Sequence, residues 1–257
     1  MPPWQRPFAE LAGTLPGVER WLLPAECLLC ERPVGRSDDD ALVCGLCRSR
    51  WLPIPDPVCG LCGQPLSPGV DCRICAAWPA GFGGVRSAVW LEGRARDAVH
   101  WLKYQGWWRV AEAMAPAMIR LRPALPDAVL VPVPLGAARQ RERGYNQSEI
   151  LARALGRIWD REVSTTRVLR TRETSRQTDL APAAREVNVS GAFAARWPGR
   201  RPAVLVDDVF TTGSTLAAVA RTLLDAGATN VSAVTFARAR RPLDDAVEEL
   251  GRTESGE

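Results

Sequence analysis

At 257 residues and 46% apolar content, the chain is long enough for one α/β domain of ordinary size plus a small accessory unit, and too apolar for a disordered tail. A formal net charge of +4 does not by itself argue for nucleic acid, and no apolar run approaches the length of a membrane span. The charge is unevenly spread, with ten arginines against five acids between Arg139 and Arg176 and an acidic tail from Asp244 onward. Residues 1–26 read as a leader segment. Met1-Pro-Pro-Trp-Gln-Arg-Pro has no basic region feeding an apolar stretch, which points to a soluble, cytoplasmic protein. Phe8, Leu11, Leu15, Val18, Trp21 and Leu22 are spaced for a short amphipathic helix broken near Pro16.

Residues 27–80 form the cysteine segment. All eight cysteines fall in Cys-x-x-Cys pairs: Cys27/Cys30, Cys44/Cys47, Cys59/Cys62 and Cys72/Cys75. Thiolates two residues apart on a tight knuckle make half of a tetrahedral zinc site, and a second pair some 10–20 residues away completes it. Sequential pairing gives Cys27, Cys30, Cys44 and Cys47 for one zinc and Cys59, Cys62, Cys72 and Cys75 for another; spacing alone leaves interleaved pairing open. Without a secretory signal a disulfide scaffold is disfavoured, and four copies outside any βαβ pattern are the wrong context for redox chemistry. Four-cysteine sites leave no coordination position open, so both zincs are expected to be structural, each supplying folding free energy on the order of 10 kcal/mol.

After Trp78-Pro79-Ala80-Gly81 the cysteines stop, and a second domain is expected over 81–242, followed by an acidic, disordered tail over 243–257. Val85–Leu91 reads as a strand, and Arg94–Gln105 as a helix with Ala95, Ala98, Val99 and Leu102 inward and Gly106 ending it. Lys103, in the last turn, is the one lysine among 33 basic residues. It either complements the helix dipole or serves a ligand that needs a compact ammonium. Trp107 and Trp108 read as core rather than as a stacking platform, and Pro116 is expected to kink or restart the helix they begin. Asp127–Val133 is a second buried strand. It ends at Pro134-Leu135-Gly136, with Arg139, Arg141 and Arg143 just beyond to receive an anion. A helix from Asn146 or Ser148 turns Ile150, Leu151, Leu155 and Ile158 inward, and Val163–Leu169 reads as a third strand. Arg170–Asn188 lacks apolar periodicity and is long enough to be functional or disordered. Val231–Phe236 is the last strand.

Between them lies the stretch with the strongest chemical signal. Ala203-Val-Leu-Val206 reads as a strand buried on both faces, Asp207 and Asp208 end it, and Thr211-Thr212-Gly213-Ser214-Thr215 turns the chain into a helix with Leu216, Val219, Ala220, Leu223 and Leu224 inward. Unpaired N–H groups, the dipole and the hydroxyls suit a phosphate. The acidic pair suits sugar hydroxyls or a divalent cation. Neither the dinucleotide-fold glycine pattern nor Gly-Lys-Ser/Thr is present.

Ala203–Thr215 resembles the phosphoribosyl-pyrophosphate (PRPP) signature of type I phosphoribosyltransferases. Together with the paired cysteines, Leu102-Lys-Tyr-Gln-Gly106, Pro132-Val-Pro-Leu135, Arg143-Gly-Tyr-Asn-Gln147 and the series Arg172, Gln177, Arg185, Asn188 and Phe193, it resembles the ComF family over roughly residues 20–240. These are cytoplasmic proteins linked to natural competence, the uptake of single-stranded DNA. Phe210 departs from the family, which usually has an aliphatic residue there. The resemblance implies a type I phosphoribosyltransferase-like parallel sheet with helices on both faces, behind a small zinc-ribbon domain. It implies that PRPP, with Mg²⁺, binds at Val209, Phe210, Thr211, Thr212, Gly213, Ser214 and Thr215 through its 5′-phosphate. Asp207 and Asp208 hold the ribose, and Pro134, Leu135, Arg139 and Arg143 receive the pyrophosphate, with Lys103 and Arg172 completing the site. Two function classes stay open. One is a glycosyltransferase moving phosphoribosyl to an unidentified acceptor. The other is a non-catalytic PRPP- or nucleotide-sensing adaptor that engages single-stranded DNA or competence proteins.

Overall fold

The computed structural model describes residues 26–34, 42–66, 72, 75–123, 127–172 and 191–240. The leader helix, most of the Arg170–Asn188 connection and the acidic tail lie outside the described residues. Four strands, β1 (Phe82–Trp90), β2 (Val129–Pro132), β5 (Ala203–Phe210) and β6 (Val231–Arg238), make one parallel sheet in the order β1-β6-β5-β2. Val129 pairs with Ala203, and Ala203 with Val231, so β2, β5 and β6 start in step. β5 is flanked on both edges, which is why Ala203–Val206 is apolar without alternation.

Alternation across the sheet divides the core in two. Leu130, Val204, Val206, Val234 and Phe236 face one cluster, with the buried faces of helices Gly93–Tyr104, Val110–Met114 and Gln147–Trp159. Val129, Val131, Ala203, Leu205 and Ala233 face the other, with the Ser214–Asp225 helix. The parallel sheet with helices on both faces is therefore present. The two cysteine quartets are divided in the same way. Cys27, Cys44 and Cys47 pack in the first cluster, where Trp51 meets Phe236 edge-on at 4.9 Å. Cys59, Cys62 and Cys75 pack in the second. The cysteine segment is joined to the sheet by backbone bonds from Val85 to Leu61 (2.6 Å) and from Trp90 to Leu52 (2.8 Å).

Several local expectations change. The third strand is reduced to β3 (Val168–Arg170), which pairs antiparallel with β4 (Phe193–Ala195) outside the main sheet; Val163 makes one parallel bridge to Leu130. β-branched residues there favoured extension, but the sheet edge accepts a single residue. Arg139, Arg141 and Arg143 sit on a short helix, Ala137–Arg143, rather than in an open connection. Its end is set by Gly144 in the left-handed conformation (φ 81°). Pro116 falls in the first turn of a 3-10 segment, Ala115–Leu121, so of the two expected outcomes the helix restarts there, as a different type, and is not kinked. In the Gln147–Trp159 helix, Trp159 takes the inward place expected of Ile158, which is 41% exposed.

Candidate functional site

A cleft of about 550 Å³ opens at the carboxyl ends of β2 and β5. Its lining brings together Lys103, Pro134, Leu135, Arg139, Arg143, Asp207, Asp208, Val209, Phe210, Thr211, Gly213, Ser214 and Thr215, thirteen of the fifteen non-cysteine residues singled out in the sequence. Arg172 and Thr212 do not line it. The Thr212 hydroxyl lies 2.8 Å from that of Ser214 and accepts from the Ser214 amide at 3.4 Å. Thr212 thus closes a local turn through its hydroxyl, while its neighbours line the cleft.

Gly213 has φ +79°, the left-handed region that favours glycine. A Cβ there would lie 2.7 Å from Trp78 Cζ2 and 2.9 Å from Phe210 Cε2. The glycine is thus demanded by turn conformation and by two aromatic rings behind the loop, not only by room for an anion. The helix it opens is twelve residues long, and Ser214 and Thr215 expose its N-terminus to the cleft. A second helix N-terminus arrives from Gln147 and Ser148, capped by the Asn146 side chain, which accepts from the Ser148 amide at 3.0 Å and donates to Val133 O at 3.0 Å. Two positive helix ends therefore meet at one cleft.

The acidic pair is held by contacts that are non-local in sequence. Lys103 forms an ion pair with Asp208 Oδ2, which is 3% exposed as a residue. Gln147 Nε2 donates to Asp208 Oδ1 at 3.4 Å, and Arg143 in turn donates to Gln147 Oε1 at 2.6 Å. Ser148 Oγ donates to Asp207 Oδ1 at 2.7 Å, and the same oxygen accepts from the Asp208 amide at 2.9 Å. That backward fold of Asp207 turns both carboxyls to the cleft, although successive strand residues point to opposite faces. Burial and the adjacent Asp208 push the Asp207 carboxyl up to about 7, against the opposing pull of Ser148 and Lys103. Burial acts the same way on Asp208, but the Lys103 ammonium, Asp207 and Gln147 together hold it below the ordinary carboxylate range. Lys103 is thus neither a plain dipole cap nor aimed at open solvent: it neutralises the buried carboxylate. Tyr104 and Gln147 entered the sequence reading only as members of the family motifs and Ser148 only as a helix start; none was assigned to the site. Only the long-range contact to β5 shows the second role of Gln147 and Ser148.

At the mouth, Tyr104 is 63% exposed with the Arg143 guanidinium 5.3 Å from its ring centre. Trp107 and Trp108 are also exposed, at 42% and 47%, which corrects their assignment to the core. The Gly93–Tyr104 helix ends before them, so no amphipathic face carries them inward.

The cysteines converge in sequential quartets, Cys27, Cys30, Cys44 and Cys47, and Cys59, Cys62, Cys72 and Cys75, with the sulfurs of each quartet within 4.8 Å of one another. Sγ separations of 3.8 Å (Cys30–Cys44) and 3.7 Å (Cys59–Cys75) match the edge of about 3.8 Å expected of a tetrahedron with Zn–S near 2.3 Å. Amides of Leu29 and Cys44 point at Cys27 Sγ, each at 3.4 Å. Burial opposes the charge of Cys27, but those bonds bring its thiol down to about 7, whereas burial and the neighbouring sulfurs push Cys75 up to about 11. Four thiolates cannot share so small a volume without a cation, and the all-sulfur donor set fits zinc. When bound, zinc supplies a closed structural cross-link.

A family model described as a double zinc ribbon domain matches residues 18–76. DNA utilization protein YhgH of Escherichia coli (strain K12) is 31% identical over 223 residues, covering 81% of this chain and 95% of its own. Competence protein ComFC of Bacillus subtilis (strain 168) is 28% identical over 234 residues, covering 82% and 94%. Competence protein F of Haemophilus influenzae is 39% identical over 120 residues, covering 45% and 52%.

Proposed function

The chain belongs to the ComF family, and from that premise we propose that it binds PRPP with Mg²⁺ in the cleft between β2 and β5 and acts in competence and DNA uptake. The observation that carries this reading is the convergence, from separate stretches of sequence, of a hydroxyl-rich turn at a helix N-terminus, an acidic pair, two arginines and the one lysine. The 5′-phosphate is assigned to Thr211–Thr215, where amides and hydroxyls would surround an anion. The ribose hydroxyls are assigned to Asp207 and Asp208. The pyrophosphate lies toward Pro134, Leu135, Arg139 and Arg143, whose guanidiniums suit doubly charged oxygens. The all-oxygen donors of the acidic pair would suit Mg²⁺, which would supply neutralising charge for the departing pyrophosphate.

For transfer, Asp207 and Asp208 would orient the ribose and stabilise the positive charge that develops on it as the C1′–pyrophosphate bond breaks and the acceptor nucleophile bonds to C1′. Titration calorimetry with PRPP and Mg²⁺ tests binding, and pyrophosphate release across a panel of nucleobases tests turnover. Saturable binding without release for any acceptor would select the sensing adaptor over the phosphoribosyltransferase. One observation favours the adaptor: Trp107 and Trp108 are exposed in the chain segment that follows the cleft residues Lys103–Gly106, and Arg141 is exposed on the Ala137–Arg143 helix, a combination suited to a single strand. The names of the relatives, DNA utilization protein and competence protein, support a role in competence or DNA utilization, and we propose that the chain acts in the cytoplasm. No helix among the described residues is long and apolar enough to cross a membrane.

A further inference from the structure

Phe210 is the last residue of β5, immediately before the Thr211–Thr215 turn, and is 1% exposed. Its ring is held on two sides. Trp78 meets it edge-on, with centroids 6.2 Å apart and planes at 69°. The Arg238 guanidinium, itself 1% exposed, stands 4.4 Å from its centroid. Each of these holders is tied to a cysteine of the second quartet. The Trp78 amide donates to Cys75 O at 3.1 Å. Arg238 Nη1 donates to Cys62 O at 2.8 Å, and its other terminal nitrogen donates to Gln64 Oε1. The knuckle is also pressed against β1, since a Cβ on Gly84 would lie 2.3 Å from Leu61 O. The same two rings, Trp78 and Phe210, occupy the space beside Gly213.

We propose that Trp78 and Arg238 are positioning residues that transmit the geometry of the second cysteine quartet to the phosphate turn. Metal occupancy of Cys59, Cys62, Cys72 and Cys75 then sets how well the cleft binds its anion. This rests on the reading of Thr211–Thr215 as a phosphate site. The physical chain is short. Metal fixes the carbonyls of Cys62 and Cys75 as it fixes their sulfurs. Those carbonyls orient Arg238 and the Trp78 backbone, the two side chains clamp Phe210, and Phe210 sets where the turn begins. Loss of metal lets the knuckle open, and the turn then samples conformations in which its amides diverge. Among the described residues, no hydrogen bond from the first quartet reaches the residues that clamp Phe210. That quartet packs on the opposite face of the sheet, against the Gly93–Tyr104 helix, where Arg94 donates to Leu29 O.

The test combines elemental analysis, hydrogen exchange over residues 209–216 and PRPP titration with Mg²⁺, on the full chain. Cys72→Ser, at a half-buried ligand, is expected to reduce zinc from two to about one per chain. It should also speed exchange of the turn and weaken PRPP by about ten-fold or more, roughly 1.4 kcal/mol. Cys30→Ser is expected to lose one zinc as well, but to leave exchange of the turn at the wild-type rate. Trp78→Ala should reproduce the effect of Cys72→Ser on the turn with both zincs retained, and Trp78→Phe should restore it. Equal loop exchange in the two cysteine variants, or a wild-type turn in Trp78→Ala, overturns the proposal. If Cys72→Ser does not fold, Gln64→Leu weakens the Arg238 tie alone, and an unchanged turn there is equally fatal. Should the wild-type chain not bind PRPP, the phosphate reading falls, while the exchange contrast still decides the coupling.

Discussion

Replacing Lys103 by Met probes the electrostatic arrangement of the cleft most sharply. The substitution keeps length and apolar stem but leaves Asp208 buried without its cation. Removing one partner of a buried pair costs about 3–5 kcal/mol, because the remaining charge loses both water and its counter-ion. Two features move the expectation to the lower end. The Lys103 side chain is 21% exposed, so solvent already screens part of the attraction, and Gln147 still donates to Asp208. We therefore expect roughly 3 kcal/mol, which for a domain of this size lowers Tm by roughly 6–12 °C. Thermal melts at pH 7.5 measure it. Adding Asp208→Asn to Lys103→Met removes the orphaned charge and should recover at least half of the loss, whereas Asp208→Asn alone should destabilise. A Lys103→Met chain that melts within about 2 °C of wild type, or a double variant no better than the single one, would refute the reasoning.

Elemental analysis should return two zinc atoms per chain, and chelation should unfold the cysteine segment, since each site contributes on the order of 10 kcal/mol; a fully oxidised, metal-free protein would contradict this. Gly213→Ala should cost about 1–3 kcal/mol for the left-handed backbone alone, with further loss from the crowded Trp78 and Phe210 rings, read as a fall in Tm and in PRPP affinity together. The raised Asp207 carboxyl makes a pH prediction. Folding favours its protonated form, so its contribution is complete below the unfolded value near 3.9 and is lost as pH rises from there through about 7. Asp207→Asn should therefore raise Tm most at pH 8 and less at pH 5; the reverse order would show that the carboxyl is not raised.

How legible the molecule was depends on whether its signals are contiguous. The cysteine pairs and the strand–turn–helix from Ala203 carry their chemistry in consecutive residues, and the structure brings both together as expected. The partners of the acidic pair do not. Lys103, Gln147 and Ser148 reach Asp207 and Asp208 only because two helices end or begin at the same edge of the sheet. Their identities were visible but their association was not. Trp107 and Trp108 were misread because apolar character shows what a side chain prefers, not which side of the chain the preceding helix leaves it on. Gly213 was read only as part of the phosphate turn, because one of the two rings that crowd it, Trp78, is 135 positions earlier in the chain.

Whether the Asp207–Thr215 cleft binds PRPP is decided by titration of PRPP with Mg²⁺ into wild type and Asp207→Asn/Asp208→Asn. The account predicts one saturable site in wild type and affinity at least a hundred-fold weaker in the double variant, since each charged hydrogen bond lost is worth roughly 1.5–3 kcal/mol. Equal affinity in the two proteins, or no binding to a zinc-loaded wild-type chain, would contradict it.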